Sequence, residues 1–345
     1  MNFTKTVAAV IAVGGMIVIS SCGSKTYTAA FSPEETGLNV VKITDESKNT
    51  VLGPSVGGYY YLGSITGGGR KSGLTWSPIN ALAVSPDGTE IAYMTRANKQ
   101  QNIMVRRAGT GGAATQRTFR HVGDFTWGND DNLYFIDIND SQNKLCVVNA
   151  HAGSLMRQLT SNNQDYEPVL TENGKKIFFT RNERGAGPSI WRYELANGEL
   201  TNCARGFQPA LIPGLDNEFL CVRNNDEGMS EIWRVNYVNG QETLILSDKE
   251  RSFTDPQVSP DGEWLLVVGN SVSTINKKKN LDIFAIRMDG SNMIQLTYHP
   301  AQDACPRWSR DGKSIFFLST RANDDNSYNY GHENEASIGV NVGRR

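Results

Sequence analysis

The chain has 345 residues, with 34 Lys and Arg against 36 Asp and Glu and a formal net charge of −2. This balance excludes a protein that holds nucleic acid by bulk positive charge, because counterion release needs a basic surface. With 39% hydrophobic residues, including 13 Phe, 12 Tyr and 6 Trp, wholesale disorder is excluded as well.

Residues 1–21 carry a single charge, Lys5, and an apolar run from Val7 to Ile19. The run is shorter than the roughly 20 residues that cross a hydrocarbon core. Its length is that of the hydrophobic region of a secretory signal. It ends in Ile19-Ser20-Ser21-Cys22, which resembles the lipobox of bacterial lipoproteins, with Ile19 where Leu is usual. The resemblance implies cleavage before Cys22 and attachment to a membrane through lipid on that residue. An ordinary signal peptide with a chance Cys is the alternative. Gly23, Ser24 and Lys25 follow with no acidic run, so the expected address is the periplasmic side of the outer membrane. No other window reaches 18 apolar residues.

Residues 22–78 read as a linker with two strand-like stretches, Leu38–Thr44 and Gly58–Leu62. The glycine-rich Gly63–Ser72 is read as a loop, since Arg70 separates Gly69 from Lys71 and no helical pattern follows.

Residues 79–345 are repetitive. Ala83-Val-Ser-Pro-Asp-Gly88 recurs as Val169-Leu-Thr-Glu-Asn-Gly174, Gln257-Val-Ser-Pro-Asp-Gly262 and Arg307-Trp-Ser-Arg-Asp-Gly312. Weaker copies begin at Phe125 and Ala210. Gly88, Asp131, Gly174, Asp216, Gly262 and Gly312 mark successive units 43, 43, 42, 46 and 50 residues apart. In each unit a strand enters a turn whose Gly, Asn or Asp tolerates positive φ, and a second strand leaves it. The pairs Asp87-Gly88, Asp261-Gly262 and Asp311-Gly312 are therefore structural. Third strands follow, such as Ser189–Tyr193 and Glu231–Val235, and then fourth strands, such as Glu242–Leu246. Four strands at this period predict an all-β fold, a β-propeller. Six four-stranded blades are preferred, with N-terminal strands and Ser337–Val342 completing the last one, which removes a free edge. A degenerate seventh blade starting at Phe31 is the alternative.

The run Gln295–Arg321 resembles a TolB-type propeller repeat, which reads L-T, then D-x-x-P-x-W-S-P-D-G-K-x-I-x-F-x-S. Asp165–Pro168 and Asp255-Pro256 match it more loosely. The resemblance covers about residues 79–321 and implies the fold rather than a function. The TolB family has an α/β domain before its propeller. The stretch between Cys22 and residue 79 is too short for one, so no Tol-specific role is carried over.

Four units place an Arg after the second strand: Arg96, Arg181, Arg223 and Arg321. Equivalent positions would make a partial cationic rim for an acidic peptide or a carboxylate. Asp165 precedes Arg181 by 16 residues and Asp303 precedes Arg321 by 18, a hairpin away, so pairing within the repeat is preferred for those two. Arg96 and Arg223 lack such an Asp and are expected to be available to a ligand. Trp191 and Trp233 are expected between blades, and Trp127 and Trp308 in the core.

Catalytic constellations are not apparent. His121, His151, His299 and His332 fall in different units with no His-x-His pair, so the clustered-His metal site of TolB-like pectate lyases does not carry over. There is no G-x-S-x-G elbow. Cys146, Cys203, Cys221 and Cys305 form no C-x-x-C, and a buried free thiol is the commoner outcome for Cys221. The expected protein is thus a lipid-anchored, non-enzymatic envelope propeller that docks proteins, without metal, cofactor or nucleic acid. A glycan-binding or glycan-cleaving propeller, or a small-ligand sensor, is the alternative.

Overall fold

In the computed structural model the described residues are 82–97, 100–108, 113–138, 143–152, 155–161, 164–183, 186–272, 279–298 and 303–319. The backbone strands 17–20, 26–29, 39–42 and 336–341 join them. Every described element is a strand.

The second strand of each repeat is apolar on both faces. Leu133–Ile136, Ile177–Phe179, Phe219–Val222 and Leu265–Val268 are all buried. A lone sheet could bury only one of those faces. Successive side chains point to opposite sides of a strand, and the packing follows that alternation. Leu220 and Val222 pack with Leu265 and Val267 of the next repeat, while Phe219 and Cys221 pack with Phe178 of the previous one. Tyr134 and Ile136 likewise meet Ile177 and Phe179. Each repeat is therefore a blade between two neighbours.

Six four-stranded antiparallel sheets result. Blade I comprises Leu82–Val84, Glu90–Ala97, Gln100–Arg107 and Thr115–Gln116. Blade II comprises Val122–Trp127, Asn132–Asp137, Lys144–Asn149 and Arg157–Gln158. Blade III comprises Asp165–Leu170, Lys176–Glu183, Gly187–Glu194 and Leu200–Arg205. Blade IV comprises Phe207–Leu211, Glu218–Asn224, Ser230–Asn236 and Glu242–Leu246. Blade V comprises Phe253–Val258, Trp264–Val272, Lys279–Arg287 and Ile294–Gln295. Blade VI takes Asp303–Trp308, Ser314–Ser319 and Ala336–Asn341, and its outermost strand is Asn39–Lys42 from the N-terminal segment. The first strand of each blade touches the first strand of the next, and that of blade VI touches that of blade I, so the ring closes. The expected strand at Gly58–Leu62 lies outside the described residues. A separate hairpin pairs Ile17–Ser20 with Thr26–Ala29, on either side of Cys22.

The turn between first and second strands recurs with one hydrogen-bond set. In blade I, Gly88 N–H donates to Ser85 O (2.9 Å) and the Ser85 hydroxyl donates to Asp87 (2.6 Å). Asp87 also accepts the Thr89 N–H, and these donors hold its carboxyl down at about 2. Gly88 has φ +75°, a left-handed conformation open to Gly. Ser259–Gly262 and Ser309–Gly312 repeat the pattern. All these turns open on one face of the ring.

Candidate functional site

On the turn face the six first strands diverge into a central funnel of about 490 Å³. Every blade contributes, five through residues of the first strand and the turn that follows, and blade IV through Pro213 of its turn. Phe125, Trp127, Gln257, Arg307 and Trp308 are among the residues that line the funnel, Phe125 and Trp127 as buried side chains. Trp127 is buried in the core, as expected, and Trp308 packs half-buried against the core of blades V and VI; both also line the funnel, where the Trp308 indole N–H donates to Gln257 O of blade V (3.1 Å). Behind Trp127 stands His151, its ring 6.0 Å away, with Nδ1 3.6 Å from Glu90 and Nε2 3.9 Å from Asp131.

The floor is built by a backbone irregularity. In five blades the first strand slips register against the second, at Val122/Phe125, Tyr166/Val169, Phe207/Ala210, Thr254/Gln257 and Ala304/Arg307. In four of them the residue before a proline has φ near +50°: Glu167, Gln208, Asp255 and Cys305. Proline fits a bulge because it gives up no ladder hydrogen bond there. A left-handed conformation costs an L-residue about 1–2 kcal/mol, so its recurrence calls for a compensating contact. The contact is a chain of links around the axis. The Asp124 carboxylate accepts the Glu167 N–H (3.3 Å), and the Glu167 carboxylate accepts the Gln208 N–H (2.8 Å). The Gln208 side-chain amide oxygen Oε1 accepts the Asp255 N–H (2.8 Å). Arg307 then donates to Asp255 (3.2 Å) and to Leu82 O (2.9 Å). The chain runs from blade II through III, IV, V and VI to blade I.

Asp124, Glu167, Gln208 and Asp255 are buried, and Arg307 is partly so. Burial, and then the charge of Asp124, pushes the Glu167 carboxyl up to about 8, against the Thr180 hydroxyl and the Gln208 N–H. Burial also raises Asp255, opposed by Arg307. The polar residue before each proline was the available sign of this floor, in Glu167-Pro168, Gln208-Pro209 and Asp255-Pro256. Chain order alone could not show that these residues converge.

Counted in the register of the second strands, the four arginines do not occupy equivalent positions. Val169 faces Phe178 as Ala83 faces Ala92, so counting along the second strands matches Arg181 with Thr95, not with Arg96. Arg321 lies two residues beyond Ser319, the match in blade VI. Its side chain, like that of Arg96, lies outside the described ones, as do Cys22, His299 and His332. Arg223 is the true equivalent of Arg181. Both are on the face opposite the funnel and both are engaged. Arg181 is buried and bidentate on Asp165 (2.7 and 3.1 Å), with its guanidinium 4.7 Å from the Trp191 ring. Arg223 is bidentate on Glu242 (2.7 Å twice) and donates to Arg205 O, so it is not the available cation that its lack of a neighbouring Asp led us to expect. Asp303 is fully buried in the place of Asp165. Trp191 packs between blades II and III and Trp233 between III and IV. Cys146, Cys203, Cys221 and Cys305 are free thiols.

No protein-family profile matches the chain. Several solved structures share its fold. TolB from Acinetobacter baumannii superposes with a TM-score of 0.58 at 14% identity, over 74% of this chain and 64% of that one. This chain therefore spans just under two thirds of that protein's length. The putative TolB from Agrobacterium tumefaciens gives 0.57 at 16% identity, over 78% and 92%. An oligogalacturonate lyase from Vibrio parahaemolyticus gives 0.56 at 10%, over 90% and 95%. Proteins described as a lyase and as TolB thus carry the same architecture, and at these identities the likeness speaks of architecture alone. The chain has the β-propeller fold found in the TolB proteins.

Proposed function

We propose that this chain is a lipid-anchored cell-envelope propeller that docks a partner protein at its central funnel without catalysis. The observation that carries the reading is how the floor is used. Asp124 and Glu167 each hold the backbone N–H of the next blade, and Asp255 holds Arg307. Acid–base catalysis needs a titratable group within reach of a substrate proton, and these acids are buried in structural links. The walls offer the half-buried Trp308 and proline faces with scattered hydrogen-bonding groups, a surface suited to recognition. The envelope address rests on Val7–Ile19 and on Ile19–Cys22.

The test expresses the full chain in a diderm bacterium fed an alkyne-bearing fatty acid. The label is expected in the membrane fraction and lost in Cys22→Ala. Photo-crosslinking from Ser309, at the funnel rim, is then expected to capture a discrete protein. An unlabelled soluble chain would remove the anchor. Capture of saccharide, or turnover of one from a glycan library, would replace docking with the glycan reading.

A further inference from the structure

The second residue of each inter-strand turn lines the funnel mouth: Pro86, Asn129, Glu172, Pro213, Pro260 and Arg310, one from each blade. Three are proline and one is a neutral amide. The remaining two carry opposite charges, Glu172 on blade III and Arg310 on blade VI. In a closed ring of six, blades III and VI face each other across the axis.

Both charges are available. The Ser309–Gly312 turn keeps the hydrogen bonds of its Pro-bearing counterparts, with Gly312 N–H on Ser309 O (3.0 Å) and Ser314 N–H on the Ser309 hydroxyl (2.9 Å). Arg310 therefore stands where Pro86 and Pro260 stand in their turns. It is exposed and makes no hydrogen bond or ion pair among the described residues. Arg307, deeper on the same blade, is occupied by Asp255 and Leu82 O. Glu172 is exposed, and its carboxylate has one long contact, the Gly214 N–H at 3.4 Å. The Arg310 and Glu172 side chains are left with no structural duty of comparable strength.

Resting on the docking reading above, we infer that the funnel selects an extended peptide segment carrying both an acidic and a basic side chain. Its acid meets Arg310 and its base meets Glu172, so the segment lies across the mouth from blade VI to blade III. Complementary charge at a rim chiefly steers and orients a partner. A polyanion, peptide or uronate, would satisfy Arg310 but be repelled by Glu172. The rim is thus charged against such ligands as well as for bipolar ones.

The experiment uses the intact chain and fluorescent peptides of one length, with Glu and Lys placed two to five residues apart. Glu-only, Lys-only and neutral controls accompany them, and binding is read by anisotropy at low and high salt. Bipolar peptides are expected to bind best and to lose that advantage in high salt. Arg310→Glu or Glu172→Lys alone should weaken them about two- to fivefold. The double reversal should restore binding, because the rim is again bipolar with its sense inverted. Arg310→Pro, which returns the turn to the residue of blades I and V, controls for folding and should also lose the preference. Equal binding of all peptides, competed by funnel variants but indifferent to Arg310 and Glu172, would overturn the charge inference and leave docking standing. Binding of an oligouronate with no peptide bound in any arm would overturn both.

Discussion

Replacing Glu167 by Gln tests the reading of the funnel floor. Glu167 ordinarily titrates near 4.5 and is pushed up to about 8 in the fold by burial and by Asp124. A carboxyl raised in this way binds more protons folded than unfolded throughout that interval. Its contribution is whole below about pH 4.5 and is lost as pH rises through about 8. At about 1.4 kcal/mol per pH unit, an upward displacement of this kind amounts to a loss on the order of a few kcal/mol, shared by the Asp124–Glu167 pair. That is a large part of the stability of an ordinary domain. Glutamine keeps an oxygen for the Gln208 N–H and the Thr180 hydroxyl, and it cannot ionise. Urea unfolding followed by tryptophan fluorescence from pH 5 to pH 9 is the assay. The parent should weaken steeply with rising pH, whereas Glu167→Gln should be nearly flat and the more stable of the two at pH 8.5. Parallel curves, or a variant weaker at every pH, would refute the account of the floor.

The two engaged arginines should differ. Arg181→Ala strands a buried Asp165 and is expected to cost about 3–5 kcal/mol, whereas Arg223→Ala opens a partly exposed pair and should cost about 1 kcal/mol or less; thermal melts of both decide it. Arg307→Met removes the link from Asp255 to blade I and should destabilise at least as much as Arg181→Ala, with Arg307→Lys recovering part of the loss. Gly88→Ala should cost more than Gly262→Ala, although φ is similar, because the new Cβ would meet the Arg310 Cβ at 3.2 Å and at Gly262 it meets open space. Burial pushes the Cys146 and Cys221 thiols up to about 12, so at pH 8 iodoacetamide should label them only as the chain unfolds, which mass spectrometry of partly denatured samples would show.

What the sequence by itself determined is the blade. The Ser-Pro-Asp-Gly turns, the apolar second strands and the spacing near 43 residues are local signals, and each fixes a hairpin without reference to distant residues. The face of each second-strand residue follows from the same alternation. The interblade places of Trp191 and Trp233 could be read in that way. The pairing of Arg181 with Asp165 could too, because both ends lie in one hairpin.

Tertiary structure decided everything that lies between blades. Ring closure depends on Asn39–Lys42 meeting a strand almost three hundred residues later, and the local pattern preferred six blades while leaving a seventh open. A count of spacing grouped four arginines, whereas strand register makes Arg181 and Arg223 the equivalent pair, and both are engaged by carboxylates. Asp124, Glu167, Gln208, Asp255 and Arg307 are separated by dozens of residues, and each looks unremarkable in its own repeat. They become one floor only because the first strand of each of these blades bulges against the second and sets them around a common axis. Glu172 and Arg310 likewise become a pair only when six blades set the third opposite the sixth. A repeat sequence specifies its unit through short-range sterics and patterning, whereas the centre of the ring exists only once the units have closed.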